Sequence, residues 1–514
     1  MFPGTHALMT PDKAAVIMAE SGRIVSYREL DDSSRQLAVA LADLGLVKGD
    51  VIAMLSDNAA ECFTIYWAAL RSGLYLTAVN FHLTADEVAY IVDDCEAKVL
   101  IAAGGLGELA EQVRVLVPGV EHAYSFGGDL TGFGSYADLL ASAGDRTLAD
   151  QPRGSDMLYS SGTTGRPKGI KPPLLPIQVD EPGDPITGLL STAFGVTADD
   201  VYLSPAPIYH AAPLRWCGAI QAHGGTVVVL ERFKADRALA AIQEYRATAI
   251  QVVPTMFVRM LQMSDEERTS YDLSSLRLAI HAAAPCPPDV KQAMIDWWGP
   301  ILVEYYSSTE ACGFTVINSH EWLAKRGSVG RSMLGPVHIC GDDGAELPLG
   351  ETGLVYFERD VRPFEYHNDP AKTREAEHPA HSNWTTVGDI GYVDADGYLF
   401  LTDRKSFMII SGGVNIYPQE VEDALALHPA VFDVAVIGVP DPAMGQQVKA
   451  VVQLRDGVEP SDELAELLIA HSRSKVAAFK TPKTVDFVES LPRTPTGKLV
   501  KRTLVQRYAA APAG

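Results

Sequence analysis

A chain of 514 residues is too long for one hydrophobic core and divides into roughly three to four domain-sized units. Its 47% hydrophobic and 21% charged residues, with Gly 43 and Pro 32, exclude a disordered or fibrous protein. The 65 acidic against 42 basic residues give a net charge of −23, which repels nucleic-acid phosphates and anionic lipid and points to small-molecule substrates. Cys62, Cys95, Cys217, Cys286, Cys312 and Cys340 form no C-x-x-C pair, so neither a disulfide framework nor a thiolate metal site is suggested and a reducing compartment fits. The N-terminus lacks the regions of a signal peptide, and no apolar run approaches the ~20 residues of a membrane span. A cytoplasmic protein with no nucleic-acid partner and no integral membrane association is expected.

In chain order the first third alternates helix and strand signals. Ser26 and Glu29 have capping-box spacing, Leu30, Leu37, Leu41 and Leu44 share a helical face, and Gly45 can end that helix before a buried strand over 51–55. A helix over 61–71, a strand over 74–79, a second capping box at Thr84 and Glu87 and a strand over 99–103 repeat the pattern, which returns with strands over 226–230, 249–253 and 276–281. Such alternation predicts an α/β protein with parallel sheets covered by helices. Residues 332–400 read as a β-rich subdomain. The last stretch, with strands over 434–438, 449–454 and 485–488 around a helix over 462–474, reads as a small α+β domain.

The most informative segment is Tyr159-Ser160-Ser161-Gly162-Thr163-Thr164-Gly165-Arg166-Pro167-Lys168-Gly169. Its glycines let the backbone approach a ligand, its hydroxyls supply donors, and Arg166 and Lys168 supply positive charge. The residues alone leave two readings, a polyphosphate cradle and a solvated Gly/Ser turn. Beyond Lys168, Lys171-Pro172-Pro173 with Pro176, Pro182 and Pro185 argue against a helix directly after the loop. A rival nucleotide signal is Gly105-Leu106-Gly107-Glu108-Leu109-Ala110, which fits G-x-G-x-x-A but lacks an acidic strand end at the required distance.

The 159–169 segment resembles the ATP-phosphate loop of the adenylate-forming superfamily of acyl-CoA synthetases, peptide-synthetase adenylation domains and luciferases. Four further motifs follow in the order of that family. Tyr306-Ser307-Ser308-Thr309-Glu310 resembles Y-G-x-T-E, Trp384 to Asp389 resembles W-x-x-T-G-D, Asp403-Arg404-Lys405-Ser406 resembles G-R-x-K, and Pro492 to Lys498 resembles the C-terminal lysine motif. Ser307, Val387 and Asp403 depart from the family residues.

The resemblance implies a large N-terminal portion of two doubly wound α/β subdomains plus a distorted β-barrel (1–403) and a small mobile α+β C-terminal domain (404–514). It implies ATP, Mg2+ and coenzyme A as cofactors. Ser160, Ser161, Gly162, Thr163, Thr164, Gly165 and Lys168 would cradle the phosphates. Ala284-Pro285 and Tyr306 would flank adenine, Asp389 and Arg404 would hold the ribose, Thr309 would bind the α-phosphate, and Glu310 would hold the metal. Lys498 would be the catalytic cation, His210 would lie between the acyl and pantetheine pockets, Gly412-Gly413 would let pantetheine pass, and Ser406 would be the hinge.

The implied reaction forms acyl-AMP and pyrophosphate from a carboxylic acid and ATP, after which a thiol displaces AMP. Ala211-Ala212-Pro213-Leu214 offers no carboxylate for a substrate ammonium, so a fatty, aryl or alicyclic acid is expected, and Ala311-Cys312-Gly313 is expected to leave width near its pocket. With little chain after Lys498 no fused carrier domain is expected, and a homodimer is one candidate assembly. The alternatives are an acyl-AMP ligase that loads a separate carrier protein and a nicotinamide oxidoreductase using the Gly105 turn.

Overall fold

The computed structural model describes residues 2–160, 167–404, 407–411, 414–442, 444–493 and 499–509, with the side chains of Asp403, Arg404 and Ala509 outside that description. Both capping boxes form: Ser26 with Glu29 starts helix Tyr27–Asp43, and Thr84 with Glu87 starts helix Ala85–Asp94. Strands Val51–Leu55, Tyr75–Val79 and Ala97–Ala103 lie parallel in the first sheet, whose order is Gly134–Ser135, His122–Phe126, Ala97–Ala103, Val51–Leu55, Tyr75–Val79, Ser155–Asp156. Every residue of Val51–Leu55 and Tyr75–Val79 is buried, as a parallel sheet covered on both faces requires.

The second sheet is built on parallel strands Ala14–Met18, Thr226–Val229, Val201–Ser204, Ala249–Val252, Leu278–His281 and Leu302–Ser307. From Leu302–Ser307 it continues antiparallel through Phe314–Asn318, Ser328–Ser332, Leu399–Arg404, Asp389–Val393, Gly353–Glu358 and His381–Thr385. Among the described residues these strands close no barrel. The expected distorted barrel is an open extension of the second α/β sheet, because strand Phe314–Asn318 pairs with Leu302–Ser307 and carries the ladder straight across.

The two α/β portions share one core. Trp67 Nε1 donates to Gln221 Oε1 (2.7 Å), and the Arg215 guanidinium grips both oxygens of Asp156 on the edge of the first sheet (3.1 and 2.7 Å). The Pro-rich stretch delays the next helix, as its prolines predict: a short strand Gly169–Lys171 comes first, and helix Pro185–Phe194 begins only where Asp184 caps it and Pro185 occupies its first turn. The Gly105 signal is a strand-to-helix turn with a local cause. A Cβ at Gly104 would stand 2.6 Å from the Gly128 backbone, and Gly107 has φ 45°.

The small C-terminal unit packs helices Pro418–Leu425, Asp462–Lys475 and Lys501–Ala509 against strands Ile409–Ser411, Val414–Ile416, Val431–Asp441, Gly445–Leu454 and Thr484–Val488. Its core is pinned by Lys501, whose ammonium lies 2.8 Å from Glu422. It meets the larger portion through Gln262 Nε2 donating to Phe432 O (3.2 Å) and Lys475 paired with Asp289 (2.9 Å).

Near this junction burial pushes the Asp423 carboxyl up to about 7, and Glu422 adds repulsion although Gln419 donates to it (2.6 Å). Between about pH 4 and about pH 7 the folded chain keeps a proton that the unfolded chain gives up, so this group's contribution to stability falls as pH rises across that window. Asp423→Asn should therefore flatten the decline of the melting temperature between about pH 4 and about pH 7. Thermal melts of both proteins check this; superimposable pH profiles would show that Asp423 ionises as an ordinary carboxylate.

Candidate active site

The stem of the 159–169 segment is a hairpin. Gly169 and Ile170 pair with Tyr159 and Leu158, Ser160 N donates to Lys168 O (2.9 Å), and Lys168 N donates to Ser160 Oγ (3.1 Å). Tyr90 supports the stem by donating to Pro167 O (3.2 Å), and Tyr159 by donating to Asp94 (2.5 Å). Ser161, Gly162, Thr163, Thr164 and Gly165 lie outside the described residues.

A third strand, Glu365–Tyr366, pairs with the far edge of Gly169–Lys171. It carries Tyr366, whose ring lies 4.8 Å from the Lys168 ammonium and whose hydroxyl donates to Glu310 Oε1 (2.9 Å). The hairpin thus reaches the Thr309-Glu310 turn. That turn is braced by Ser307 Oγ donating to Gly313 O (2.8 Å) and by Arg359 donating to Ala311 O (3.1 Å). Ser307 therefore serves in place of the family glycine. The width expected at Ala311-Cys312-Gly313 is absent: Cys312 is buried, and a Cβ at Gly313 would lie 2.0 Å from the Phe357 ring.

Tyr306, four residues before Glu310, donates its hydroxyl to Asp389 Oδ2 (2.5 Å). Asp389 faces Arg404 across paired strands, which brings the two expected ribose residues into register. Ala284-Pro285 follows strand Leu278–His281, parallel neighbour of Leu302–Ser307, through Ala283 at φ 74°. One carboxylate beside Thr309, with substrate phosphate oxygens and water completing the shell, suits Mg2+, so Glu310 fits that ion.

His210 is the N-cap residue of helix Ala211–His223, and its ring lies 4.4 Å from that of Tyr209. The preceding loop is clamped by Asn58, which accepts from Ile208 N (2.8 Å) and donates to Ala206 O (3.2 Å) and Leu230 O (2.8 Å). On this helix Trp216 stacks on Tyr305 (6.3 Å) and Tyr305 on Phe314 (5.0 Å), while Phe194 meets Trp216 edge-on (5.0 Å). Gln251 donates to the Tyr305 hydroxyl (2.7 Å), and burial pushes that phenol up to about 12, so it stays neutral.

Lys498, Ser406, Gly412 and Gly413 lie outside the described residues. The strand ends flanking the lysine segment meet where Arg493 bridges Leu499 and Val500 N donates to Pro492 O (2.8 Å). Tyr366, Asn58 and the Trp216–Tyr305–Phe314 stack went unrecognised in the sequence, because each meets its partner only through the tertiary fold.

Comparison with known proteins agrees with this geometry. Residues 5–360 match the AMP-binding enzyme family, and residues 420–498 match the AMP-binding enzyme C-terminal domain. The chain is 32% identical to a long-chain-fatty-acid–CoA ligase, FadD13, of Mycobacterium tuberculosis, over 98% of this chain and 97% of that one. It is 33% identical to a feruloyl-CoA synthase of Amycolatopsis sp, covering 99% and 98%. The crystal structure of the anthranilate CoA ligase AuaEII in complex with anthranoyl-AMP superposes with a TM-score of 0.84 at 26% identity, covering 98% and 96%. With both family domains in order and relatives matched along their full length, the chain belongs to the AMP-binding enzymes and is an acyl-CoA ligase that works with ATP, Mg2+ and coenzyme A.

Proposed function

We propose that the enzyme activates a hydrophobic carboxylic acid, fatty, aryl or alicyclic, and that the reaction runs in the cleft where Lys168, Glu310, Tyr306 and Asp389 converge. The carrying observation is the continuous chain of contacts from Lys168 through the Tyr366 ring to Glu310, with Tyr306, on the strand that leads into that turn, bonded to Asp389. A hydrophobic acid is supported by the aromatic stack behind His210, where the polar groups of Tyr202, Gln251 and Tyr305 satisfy one another.

In this reading the acid's carboxylate oxygen attacks the α-phosphorus of ATP, and the bond to the pyrophosphate oxygen breaks. Thr309 holds the α-phosphate, the 160–168 loop holds the outer phosphates, and Glu310 holds the metal. Mg2+ supplies charge neutralisation along the phosphates. Tyr306 packs on adenine beside Ala284-Pro285, and Asp389 with Arg404 takes the ribose hydroxyls. Lys498 bridges the carboxylate and the α-phosphate as negative charge develops between them. The coenzyme A sulfur then attacks the acyl carbon, AMP leaves, and pantetheine enters past Gly412-Gly413 with His210 between it and the acyl chain.

A boundary between an N-terminal domain over 1–403 and a C-terminal domain over 404–514 is supported by the position of Arg404 at the end of strand Leu399–Arg404, ahead of the small unit. A cytoplasmic site of action is supported by the six cysteines, all free thiols. A homodimer is one candidate assembly, and the mass in solution tests it.

A panel of fatty, aryl and alicyclic acids, scored for pyrophosphate release and for acyl-CoA mass, tests reaction and substrate class together; amino acids turned over in preference would overturn the hydrophobic reading. Lys498→Ala should lower acyl-AMP formation by about 10² to 10³ while sparing thioester formation from supplied acyl-AMP. Equal loss in both half-reactions would count against the lysine's role. His210→Ala should change acid selectivity or the thiol step more than ATP affinity, and an unchanged acid profile with a lowered melting temperature would make His210 structural.

A further inference from the structure

Tyr366 occupies a junction that none of the family-like motifs includes. Its backbone continues the hairpin of the phosphate loop, since Ile170 pairs with Tyr366 and His367 N donates to Gly169 O (2.8 Å). Its own N–H donates to Thr373 Oγ1 (3.0 Å), which ties the strand to helix Pro370–Glu375, and Phe364 packs edge-on against its ring (5.0 Å). The residue is thus fixed on several sides before its functional end is considered. That end does two things at once: the hydroxyl donates to Glu310 Oε1 (2.9 Å), and the ring lies 4.8 Å from the Lys168 ammonium.

We propose that Tyr366 is a positioning residue for adenylation, holding the Glu310 carboxylate in the orientation in which it takes Mg2+ and holding Lys168 beside the phosphates. This rests on the reading of Glu310 as the metal carboxylate and of Lys168 as a phosphate ligand. A glutamate side chain has three rotatable bonds, and Mg2+ requires near-octahedral geometry, so a carboxylate free to turn binds it less well. A hydrogen bond from a rigid phenol to one oxygen removes that freedom, and outer partners of this kind are typically worth about 10 to 100-fold in metal affinity. The ring adds a cation–π contact to a lysine whose flexible stem would otherwise let it wander. Because one side chain contacts both groups, the metal carboxylate and the phosphate loop are set at a fixed separation.

The test is ATP binding by calorimetry at constant ionic strength, with and without Mg2+, for the wild type, Tyr366→Phe, Glu310→Gln and the double variant. Tyr366→Phe keeps the ring and loses the hydroxyl. It should bind metal-free ATP as the wild type does, lose about tenfold of the affinity that Mg2+ adds, and need about tenfold more Mg2+ for half-maximal pyrophosphate release. In the Glu310→Gln background the same change should have no further effect. Tyr366→Leu, which also removes the ring, should weaken metal-free ATP binding as well. A Tyr366→Phe protein with wild-type Mg2+ dependence overturns the inference, as does one that loses affinity equally with and without the metal, or a lowered melting temperature with the Mg2+ gain intact. Additive effects in the double variant overturn it too. A wild type whose ATP binding ignores Mg2+ overturns the underlying reading of Glu310 and the inference with it, whereas a normal wild type beside an unaltered variant overturns the inference alone.

Discussion

The strands that lead into the candidate site depend on one buried ion pair. The Lys291 ammonium, with no exposed surface, lies 2.6 Å from Glu304 Oε2, and the face of Trp322 covers it at 4.9 Å. Neither charge could remain there alone; removing one partner of such a pair typically costs about 3–5 kcal/mol, because the other keeps its full desolvation penalty. Burial pushes the Glu304 carboxyl up, and Lys291 opposes that rise. His281 stands 3.7 Å from the same oxygen, held well below the ordinary histidine range by burial and by Lys291, and so stays neutral. One carboxylate thereby anchors helix Pro288–Trp298, the last residue of strand Leu278–His281 and the middle of its parallel neighbour Leu302–Ser307.

From that anchor the period of two along a strand distributes the chemistry. Leu302 lies in the core that surrounds Lys291, with Glu304 on the same face, while Val303 and Tyr305 turn to the opposite core beneath helix Ala211–His223. Tyr306 then emerges toward Phe357 and Asp389. A single six-residue strand thus supplies one half of a buried ion pair, an aromatic that packs beneath helix Ala211–His223 and the phenol that reaches Asp389. A shift of register by one residue would exchange these faces, which is why the pair has to be buried and exact in place.

The sequence revealed what is encoded locally. Both capping boxes, the strand over 51–55 and the delayed helix after Lys168 follow from spacing and from proline chemistry, and each was legible because its cause lies within a few residues. The ordered motifs likewise brought Tyr306 and Asp389 into one site although 83 residues separate them. Contacts with no motif stayed hidden. Asn58 clamps a loop 150 residues away, Tyr366 reaches Glu310 across 56, and the filling of space at Gly313 by Phe357 depends on how a sheet extension folds over. The open form of that extension was also illegible, since alternation of polar and apolar residues looks the same in an open sheet and a barrel.

Strain completes the picture. Two alanines take positive φ at turns beside the candidate site: Ala283 at 74°, before Ala284-Pro285, and Ala311 at 54°, directly after Glu310. A side chain in that region costs on the order of 1–3 kcal/mol and persists only where the surroundings overdetermine the backbone. Here they do. The Ala311 turn is closed by its own N–H donating to Ser308 O (3.0 Å) and by Arg359 on its carbonyl (3.1 Å), and the Ala283 turn follows directly from the strand whose last residue, His281, is packed against Glu304. Relaxed turns would let Ala284-Pro285 and Glu310 drift independently. The buried Lys291–Glu304 pair steadies the strand that leads into the first turn, and the Arg359 contact steadies the second, so both backbones keep conformations that an isolated alanine turn would leave.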